Sequence, residues 1–350
     1  MTFNIDTDID TVSDEWLEGF IRRMEKENGI LAGLDEGNRI IKLSPTMVVK
    51  CGYGVTAQEA AAQTFAHQHF DSSIVQIPRV HRFFHSSPCA FGSCGYLFMD
   101  YIEGWSLENL DLQVHTDLIP QIATIIAHME SMASEIPGPP GGGRPEGYLW
   151  SDEGARTEFH SVEELNTWLN ARLATQDKSI DITSEKLVFC HMDLCRRNMI
   201  MLPNRTICLL DFGFAGFYPR CFEVVTLDFL TTESVEYTRQ LQRRLMEELR
   251  FTGNEKEYLA LLHRVRAIQA RFPSAFGEKV ENLLDLPELV ARLPSTSLLP
   301  SQIVPPPKIE PLSPEDVAAA LAALSAPKPK AYHETHPTLG RPPSPPPPLS

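Results

Sequence analysis

The sequence lacks a surplus of basic residues and lacks any long apolar run. Its 31 Lys and Arg are outnumbered by 46 Asp and Glu, which gives a formal net charge of −15 at pH 7. Because a negative surface repels polyphosphates and anionic lipids, we expect neither nucleic acid nor a membrane as the main partner. No apolar stretch approaches the ~20 residues that a membrane-spanning helix needs. These absences favour a soluble globular protein.

Closely paired cysteines and a basic N-terminal segment are also missing. The seven cysteines include no C-x-x-C pair, which disfavours zinc binding and dithiol redox chemistry. Several cysteines lie in apolar runs, as Cys190 does, and are expected to be buried free thiols of a reducing compartment. Residues 1–10 carry acids where a secretory signal has basic residues. We therefore expect a cytoplasmic protein.

Proline, in contrast, is concentrated near the C-terminus, where 16 of the 28 prolines lie between Pro294 and Pro348. Proline runs favour an extended polyproline II conformation and are typical of disordered linkers. Certain proline-reading domains also bind such runs, so a partner of this kind is the alternative. We predict that residues 294–350 form a proline-rich, largely disordered tail outside the folded body.

The local patterns of the body predict an α+β fold. Apolar residues at helical spacing, β-branched runs around turns, and glycine- or proline-rich breaks define its segments. The predicted helices span residues 12–28, 57–70, 118–132, 161–173 and most of 227–269, and the predicted strands span 39–43, 47–50 and 96–102. This order predicts a small β-rich lobe followed by a larger, mainly helical lobe.

One block of the sequence carries the strongest chemical signal. Asp193 is followed five residues later by Asn198, and a short hairpin separates both from Asp211. These residue types are suited to binding a nucleotide together with its metal ion. The first Asp can orient an attacking hydroxyl and accept its proton, while the Asn and the second Asp can ligate Mg²⁺ through hard oxygens. His191 is expected to brace this loop by hydrogen bonding.

The hairpin inside this block allows a prediction of geometry. Its strand-like segments, residues 198–202 and 206–211, flank Asn204-Arg205, which we interpret as a two-residue turn. That register places Asp211 directly opposite Asn198, as a shared cation would require. A slip of one residue would turn one of the two side chains away.

The block resembles a known family. His191 to Asn198 is similar to the H-x-D-x-x-x-x-N catalytic loop of the protein-kinase-like fold, and Asp211-Phe212-Gly213 to its metal-binding D-F-G. The continuation, Phe214 to Pro219 with Glu223, resembles the aminoglycoside phosphotransferase and choline kinase group, and especially its fungal phosphotransferase-family members. The stretches 99–104 and 161–166 are similar to recurrent stretches of the same set. The resemblance spans about residues 35–270.

The resemblance implies a bilobal protein-kinase-like fold with four parts. Residues 1–34 would be an N-terminal helical extension, and residues 35–103 the nucleotide-binding N-lobe. Residues 104–293 would be the C-lobe, with the catalytic loop and the acceptor site. The proline-rich segment 294–350 would follow as the tail.

The resemblance also implies a nucleotide site that binds ATP. Lys50 corresponds to the strand lysine that neutralises the α- and β-phosphates, and Glu59, on the following helix, to the acid that pairs with it. Met99, Asp100 and Ile102 belong to the hinge, whose backbone amide and carbonyl would bind adenine.

The resemblance also implies a role for each residue of the catalytic block. Asp193 would be the catalytic base, and Asn198 and Asp211 would hold Mg²⁺. Arg196 and Arg197 could contact the transferring phosphoryl group or could simply be solvated.

These roles imply an ATP-dependent phosphotransferase that acts on a hydroxyl of a small molecule. The acidic net charge would suit a cationic acceptor such as an aminoglycoside or a choline-like alcohol. The alternative is a nucleotide-binding pseudokinase that serves as a scaffold. It is favoured by the missing G-x-G-x-x-G before Lys50, where a short turn, Ser44-Pro45-Thr46, stands instead. A protein substrate is disfavoured because no A-P-E element follows Asp211.

Overall fold

The computed structural model describes residues 3–33, 37–86, 93–230 and 233–272 of the chain. These residues all fall in one of the two units into which the chain divides. The predicted tail, residues 294–350, and the last part of the predicted C-lobe lie outside the described residues. Within the described ranges, no helix combines the length and the apolar character that a membrane crossing needs.

Helices and short strands alternate along the described chain. The helices are α1 (Ile5–Asp8), α2 (Asp14–Asn28), α3 (Ala57–His69), α4 (Leu118–Met129), α5 (Val162–Leu173), α6 (Cys221–Thr226), α7 (Val235–Glu248) and α8 (Gly253–Arg271). The strands are β1 (Ala32–Gly33), β2 (Arg39–Lys42), β3 (Met47–Gly52), β4 (Val75–Gln76), β5 (Val80–His85), β6 (Gly95–Asp100), β7 (Trp105–Ser106), β8 (Ala133–Ser134), β9 (Leu187–Cys190), β10 (Met199–Met201), β11 (Ile207–Leu209) and β12 (Gly216–Pro219).

The N-terminal half is built on a five-stranded antiparallel sheet with the order β1-β2-β3-β6-β5. Every residue of the central strand β3 is buried. Helix α2 covers one face of the sheet, where its Leu17 and Ile21 pack in one cluster with Val49 and Phe98. The N-terminal helical segment is therefore part of the core of this lobe.

The C-terminal half is mainly helical and holds two small sheets. Their strand orders are β4-β11-β10-β7 and β12-β9-β8. The largest apolar cluster fills this half, and Trp150 lies at 0% exposure within it. The expected fold, a β-rich lobe joined to a larger helical lobe as in protein kinases, is confirmed.

Local signals predict the long helices, the strands β2, β3 and β6 and the hairpin of β10 and β11 to within a few residues, whereas β5 and the short strands β1, β4, β7 and β8 are not predicted. The predicted helix over 227–269 is broken into two helices. Thr252 begins α8 with a reciprocal cap, since its hydroxyl accepts from Glu255 N and its own N–H donates to the Glu255 carboxylate. Strand β12 is absent from the prediction. It pairs with β9 across 26 or more residues of sequence, as Gly216 with Cys190, and local patterns carry no such information.

Replacing Leu17 with Ala should lower the free energy of unfolding by about 2–5 kcal/mol, since a fully buried side chain would leave a cavity. Gly19→Ala on the same helix is the matched control. A Cβ at Gly19 meets open space, so this change should be neutral or stabilise by up to about 1 kcal/mol. Urea unfolding followed by circular dichroism measures both. A Leu17→Ala protein as stable as wild type would show that α2 is a detachable extension.

Candidate active site

A buried lysine lies at the centre of the candidate site. The Nζ of Lys50 lies 2.6 Å from Glu59 Oε1 and 2.9 Å from Asp211 Oδ1. Lys50 is placed by β3, and Glu59 by the first turn of α3, where its N–H donates to the capping hydroxyl of Thr56. The structure therefore brings together three of the residues that the sequence predicts, from three separate elements.

The three charges stabilise one another against the cost of burial. Burial alone would lower the pKa of Lys50, but the carboxylates of Glu59 and Asp211 outweigh it and hold that pKa above its usual value. Burial raises the pKa of Glu59 to about 7, against the opposing effect of the Lys50 charge. For Asp211 the lysine outweighs burial, and its pKa is lowered. Lys50 and Asp211 are thus a charged pair at neutral pH.

The predicted base, Asp193, has one engaged and one unengaged oxygen. Its Oδ2 accepts from Asn198 Nδ2 at 3.0 Å and lies 3.4 Å from Arg197 Nη2. Its Oδ1 is buried and has no hydrogen-bond partner among the described residues. A buried acceptor left unpaired costs about 1–3 kcal/mol. Burial also raises the pKa of Asp193. The Asp193 side chain is 7% exposed in all, so a ligand reaches only a small part of this carboxyl group.

His191 braces the loop that carries the base. Its Nε2 lies 2.9 Å from the Leu210 carbonyl oxygen, and the Asp193 N–H donates to its Nδ1 at 3.3 Å. Burial lowers the pKa of His191, which favours a neutral ring. These two bonds require the proton on Nε2. The imidazole is therefore fully used in holding the loop, as the sequence predicts.

Glu223 has a role that the sequence argument missed. Its carboxylate accepts the backbone N–H groups of His191 and Met192, the latter at 3.0 Å. Met192 has a φ of +66°, a conformation that costs a residue other than glycine about 1–3 kcal/mol. Glu223 thus stabilises a strained turn next to the base. A signal was present, since a single acid stands inside the apolar run 221–225.

The register predicted for the hairpin is wrong by one residue. Strand β10 pairs with β11 as Met199 with Leu209, so Asn198 lies opposite Leu210 and not opposite Asp211. The cause is a three-residue turn in place of the predicted two. Arg205 has a φ of +67°, and the Asn204 side chain accepts from the N–H two residues ahead.

Asp211 reaches the site by a backbone turn of its own. Its φ of +65° changes the chain direction directly after the hairpin, and its carboxylate points to Lys50. Asn198 instead contacts Asp193 through its amide nitrogen. The two predicted metal ligands therefore do not face each other across the ladder, and each lies beside a different partner.

The predicted hinge residues lie where β6 ends. Met99 is buried in the strand, and its sulfur accepts from Gln63. The Asp100 N–H donates to the Arg79 carbonyl at 3.1 Å, and the Asp100 carboxylate lies 2.7 Å from His81 Nε2. The amide of Asp100 is therefore occupied within the protein.

After β6, one backbone N–H of the predicted hinge has no backbone acceptor among the described residues. The Tyr101 N–H donates to the Thr46 carbonyl at 2.7 Å. Among the described residues, the Ile102 N–H has no backbone acceptor. Ile102 is thus the hinge position whose amide could bind a base.

The turn Ser44-Pro45-Thr46 is held by the N-terminal segment. The hydroxyls of Ser44 and Thr46 both donate to Asp6 Oδ1, at 2.6 and 2.8 Å. The turn adjoins the hinge through Tyr101. The turn that stands where a glycine-rich loop is missing is therefore fixed to the N-terminal segment and to the hinge.

The two loop arginines occupy different environments. The Arg196 guanidinium bonds Glu233 Oε2 at 2.9 Å and the Leu110 carbonyl at 3.3 Å. Arg197 lies beside the base, with Nη2 3.4 Å from Asp193 Oδ2 and 3.5 Å from the Tyr148 hydroxyl. Of the pair, Arg197 is the one placed at the reacting group.

The oxygen atoms of Asn198 and Asp211 suit a hard cation. Within the described part of the chain, no group of three or more His, Cys, Asp or Glu could hold a metal ion by itself. The Asn198 nitrogen donates to Asp193, so its Oδ1 is the atom left for a metal. Mg²⁺ takes one or two carboxylates and completes its shell with phosphate oxygens and water. The sparse donor set therefore fits a magnesium ion that arrives with a nucleotide.

Comparison with known proteins gives one family and a set of distant structures. A model of the phosphotransferase enzyme family matches residues 40–251, more than half of the chain. A thermostable mutant of aminoglycoside phosphotransferase APH(4)-Ia, in ternary complex with ADP and hygromycin B, is 14% identical. That match covers 73% of this chain and 90% of that one, with a TM-score of 0.48. ADP-bound APH(2'')-Ib is 16% identical, with coverages of 78% and 94% and a TM-score of 0.42. No curated protein matches the sequence. The finer resemblance to fungal members stays a prediction.

The raised pKa of Glu223 predicts a pH dependence of stability. Burial raises this pKa from 4.5 to about 7, so the folded chain holds a proton that the unfolded chain releases at lower pH. The wild-type free energy of unfolding should therefore fall between pH 4.5 and about 7 relative to Glu223→Gln, whose amide does not titrate. Urea unfolding at several pH values measures the difference. Parallel pH profiles for the two proteins would contradict the assignment.

Proposed function

The chain belongs to the phosphotransferase enzyme family, and from this premise we propose that it transfers the γ-phosphoryl group of ATP to a hydroxyl of a small molecule. The observation that carries the proposal is the Asp193 carboxylate, which is held by Asn198 Nδ2 at 3.0 Å and lies beside Arg197. It lies in the same site as the lysine bound by Glu59 and Asp211. A group that orients the attacking hydroxyl and a cation that contacts the phosphates are among the parts that phosphoryl transfer needs from a protein.

The nucleotide end of the proposed site uses the N-terminal lobe. Lys50 would neutralise the α- and β-phosphates, and Glu59 would hold the lysine in place through its 2.6 Å contact. The adenine would bind the hinge, with the Ile102 amide as donor and the chain at Met99 and Asp100 forming the adjoining wall. Residues 35–103 would then form the nucleotide-binding lobe and 104–293 the lobe that binds the acceptor.

Asn198 and Asp211 would hold Mg²⁺, through the amide oxygen of one and the carboxylate of the other. The ion, when bound, would neutralise phosphate charge. Glu223 and His191 keep the loop in the geometry that this arrangement requires.

In the proposed reaction, Asp193 is the group that accepts the proton of the hydroxyl. The hydroxyl oxygen of the acceptor attacks the γ-phosphorus and forms the new O–P bond, while its proton passes to the Asp193 carboxylate. The bond between the γ-phosphorus and the bridging oxygen breaks, and its electron pair leaves with ADP. Catalysis of this kind depends mainly on positioning and charge neutralisation.

Asp193→Asn should reduce phosphoryl transfer by about 10²- to 10⁴-fold, the usual contribution of a positioned general base. The substitution keeps the shape of the side chain, so stabilisation of the full chain by ATP and Mg²⁺ should persist. Transfer from γ-labelled ATP to a mixture of hydroxyl metabolites measures the first effect, and thermal unfolding with ATP and Mg²⁺ measures the second.

Glu135→Gln is the matched control, because it removes an exposed carboxylate on the loop after β8. It should leave both readouts unchanged. Stabilisation by ATP without transfer to any hydroxyl, in wild type as in Asp193→Asn, would support the scaffold hypothesis instead.

A further inference from the structure

Two residues around the start of α7 bind the catalytic loop on the side that follows the base. The Tyr237 hydroxyl donates to the Leu194 carbonyl at 2.7 Å. The Glu233 carboxylate accepts the Arg196 N–H at 2.7 Å and the Arg196 Nε–H at 2.9 Å. Leu194 is the residue directly after Asp193, and Arg196 follows two positions later. Both contacts therefore hold the chain on the C-terminal side of the base.

These contacts are shielded from water. Tyr237 is fully buried, and the Glu233 side chain is 3% exposed. A buried group that loses its hydrogen bond cannot replace it with one to solvent, so the loss leaves its partner unsatisfied. Glu233 also binds both the backbone and the side chain of Arg196, which restrains the position and the direction of that residue. The loop is thus held by bonds that cost free energy to break.

Helix α7 gives the two contacts a fixed origin. Tyr237, Leu241 and Leu245 on its inward face are fully buried in the largest apolar cluster. Ser234 caps the helix, since its hydroxyl accepts the Tyr237 N–H at 3.2 Å. The cap determines where the helix begins, and Glu233 is the residue before it. The catalytic loop is therefore tied to the core of the C-terminal half.

The base lies between this support and the one that Glu223 provides. Glu223 accepts the N–H groups of His191 and Met192, the two residues before Asp193. The bonds from the start of α7 are made to residues after it. A short segment bound on both sides leaves little freedom to the residue between the bonds. Such restraint matters because a displacement of about 1 Å can cost a positioned catalytic group about 10²-fold in rate.

We propose that Tyr237 and Glu233 are positioning residues for the base, which act through the backbone of the catalytic loop and keep Asp193 where it meets the acceptor hydroxyl. The inference rests on the phosphotransfer proposed above for its effect on the rate, and on the contacts alone for its effect on the loop. Loss of either contact should loosen residues 191–198 and slow transfer. Nucleotide binding, which the proposed function assigns to the other lobe, should be kept.

Two tyrosine variants of the full chain test this inference. Tyr237→Phe removes only the hydroxyl that binds the loop. Tyr258→Phe on α8 is the matched control, because the Tyr258 hydroxyl donates to the Asp181 carbonyl, also at 2.7 Å. Each change removes one hydrogen bond to a backbone carbonyl, so both should lower the melting temperature by about 2–4 °C. Stability alone therefore does not distinguish the two variants.

Two other readouts should distinguish them. Hydrogen exchange of the backbone N–H groups in residues 191–198, followed by mass spectrometry, should be about 3- to 10-fold faster in Tyr237→Phe and unchanged in Tyr258→Phe. The rate of transfer from γ-labelled ATP to hydroxyl metabolites, at saturating ATP, should fall about 10- to 100-fold in Tyr237→Phe alone. The KM for ATP should stay within about twofold of wild type, since a displaced base weakens the transition state and not nucleotide binding.

Variants of the glutamate provide an independent arm. Glu233→Ala removes both bonds to Arg196, whereas Glu233→Gln keeps an oxygen that can accept the Arg196 N–H. Exchange in the loop should be faster in Glu233→Ala and partly restored toward wild type in Glu233→Gln. Glu255→Gln is the matched control, because Glu255 likewise binds an arginine side chain, that of Arg220, and accepts a backbone N–H, that of Thr252. It should leave exchange in the loop unchanged.

The outcomes separate this inference from the proposed function. Loop exchange in Tyr237→Phe that equals the exchange in Tyr258→Phe would overturn the inference. Faster exchange with an unchanged rate of transfer would also overturn it, since the contact would then serve stability only. A raised KM for ATP at an unchanged kcat would do the same. If the wild type transfers no phosphoryl group, the proposed function is contradicted, and exchange in the loop alone decides the inference.

Discussion

The contact of one buried ammonium group with two carboxylates is the constraint on which the site depends. Lys50 comes from the central strand of the sheet, Glu59 from α3 and Asp211 from the segment after the hairpin. A buried charge deprived of its partner costs about 3–5 kcal/mol. The register of β3 and the start of α3 must therefore hold together for Lys50 and Glu59 to be buried, and the left-handed turn at Asp211, whose side chain is 41% exposed, brings the second carboxylate to the ammonium group. The two lobes are linked by this electrostatic requirement.

The free-energy cost of burying polar groups also explains the contacts made by the loop around the base. Asp193 has one buried oxygen without a hydrogen-bond partner in the described part of the chain, and Met192 beside it has a strained backbone. Neither would persist in an isolated loop, because both cost free energy that local interactions do not return. Glu223 supplies that free energy by accepting the N–H groups of His191 and Met192, and His191 does so by accepting the Asp193 N–H and binding the Leu210 carbonyl. The support comes from α6 and from the hairpin, and the reactive group itself stays available.

Sequence motifs predict the identities of the site residues better than their geometry. Asp211 is found from residue type and spacing, Lys50 and Glu59 are implied by the family resemblance, and the structure brings the three into contact. The predicted hairpin register is wrong because the observed register depends on a left-handed backbone conformation at Arg205, which the residue type does not predict. The contact of Ser44 with Asp6 is not predicted, because the two residues lie 38 positions apart. Local patterns predict the secondary structure that each segment prefers, whereas contacts between residues distant in sequence depend on the tertiary fold.

The net charge of the chain likewise does not determine the charge at the candidate site. The chain carries −15 overall, yet charges more than about 8 Å apart in water are largely screened at physiological ionic strength. A small acceptor is recognised at contact distance, where Arg197 and the half-buried Tyr148 are the groups beside Asp193. The charge of the whole protein can favour the approach of a cation, but the groups at contact decide which alcohol stays. The acceptor preference is therefore set by the groups at contact distance from Asp193, among them Arg197 and Tyr148.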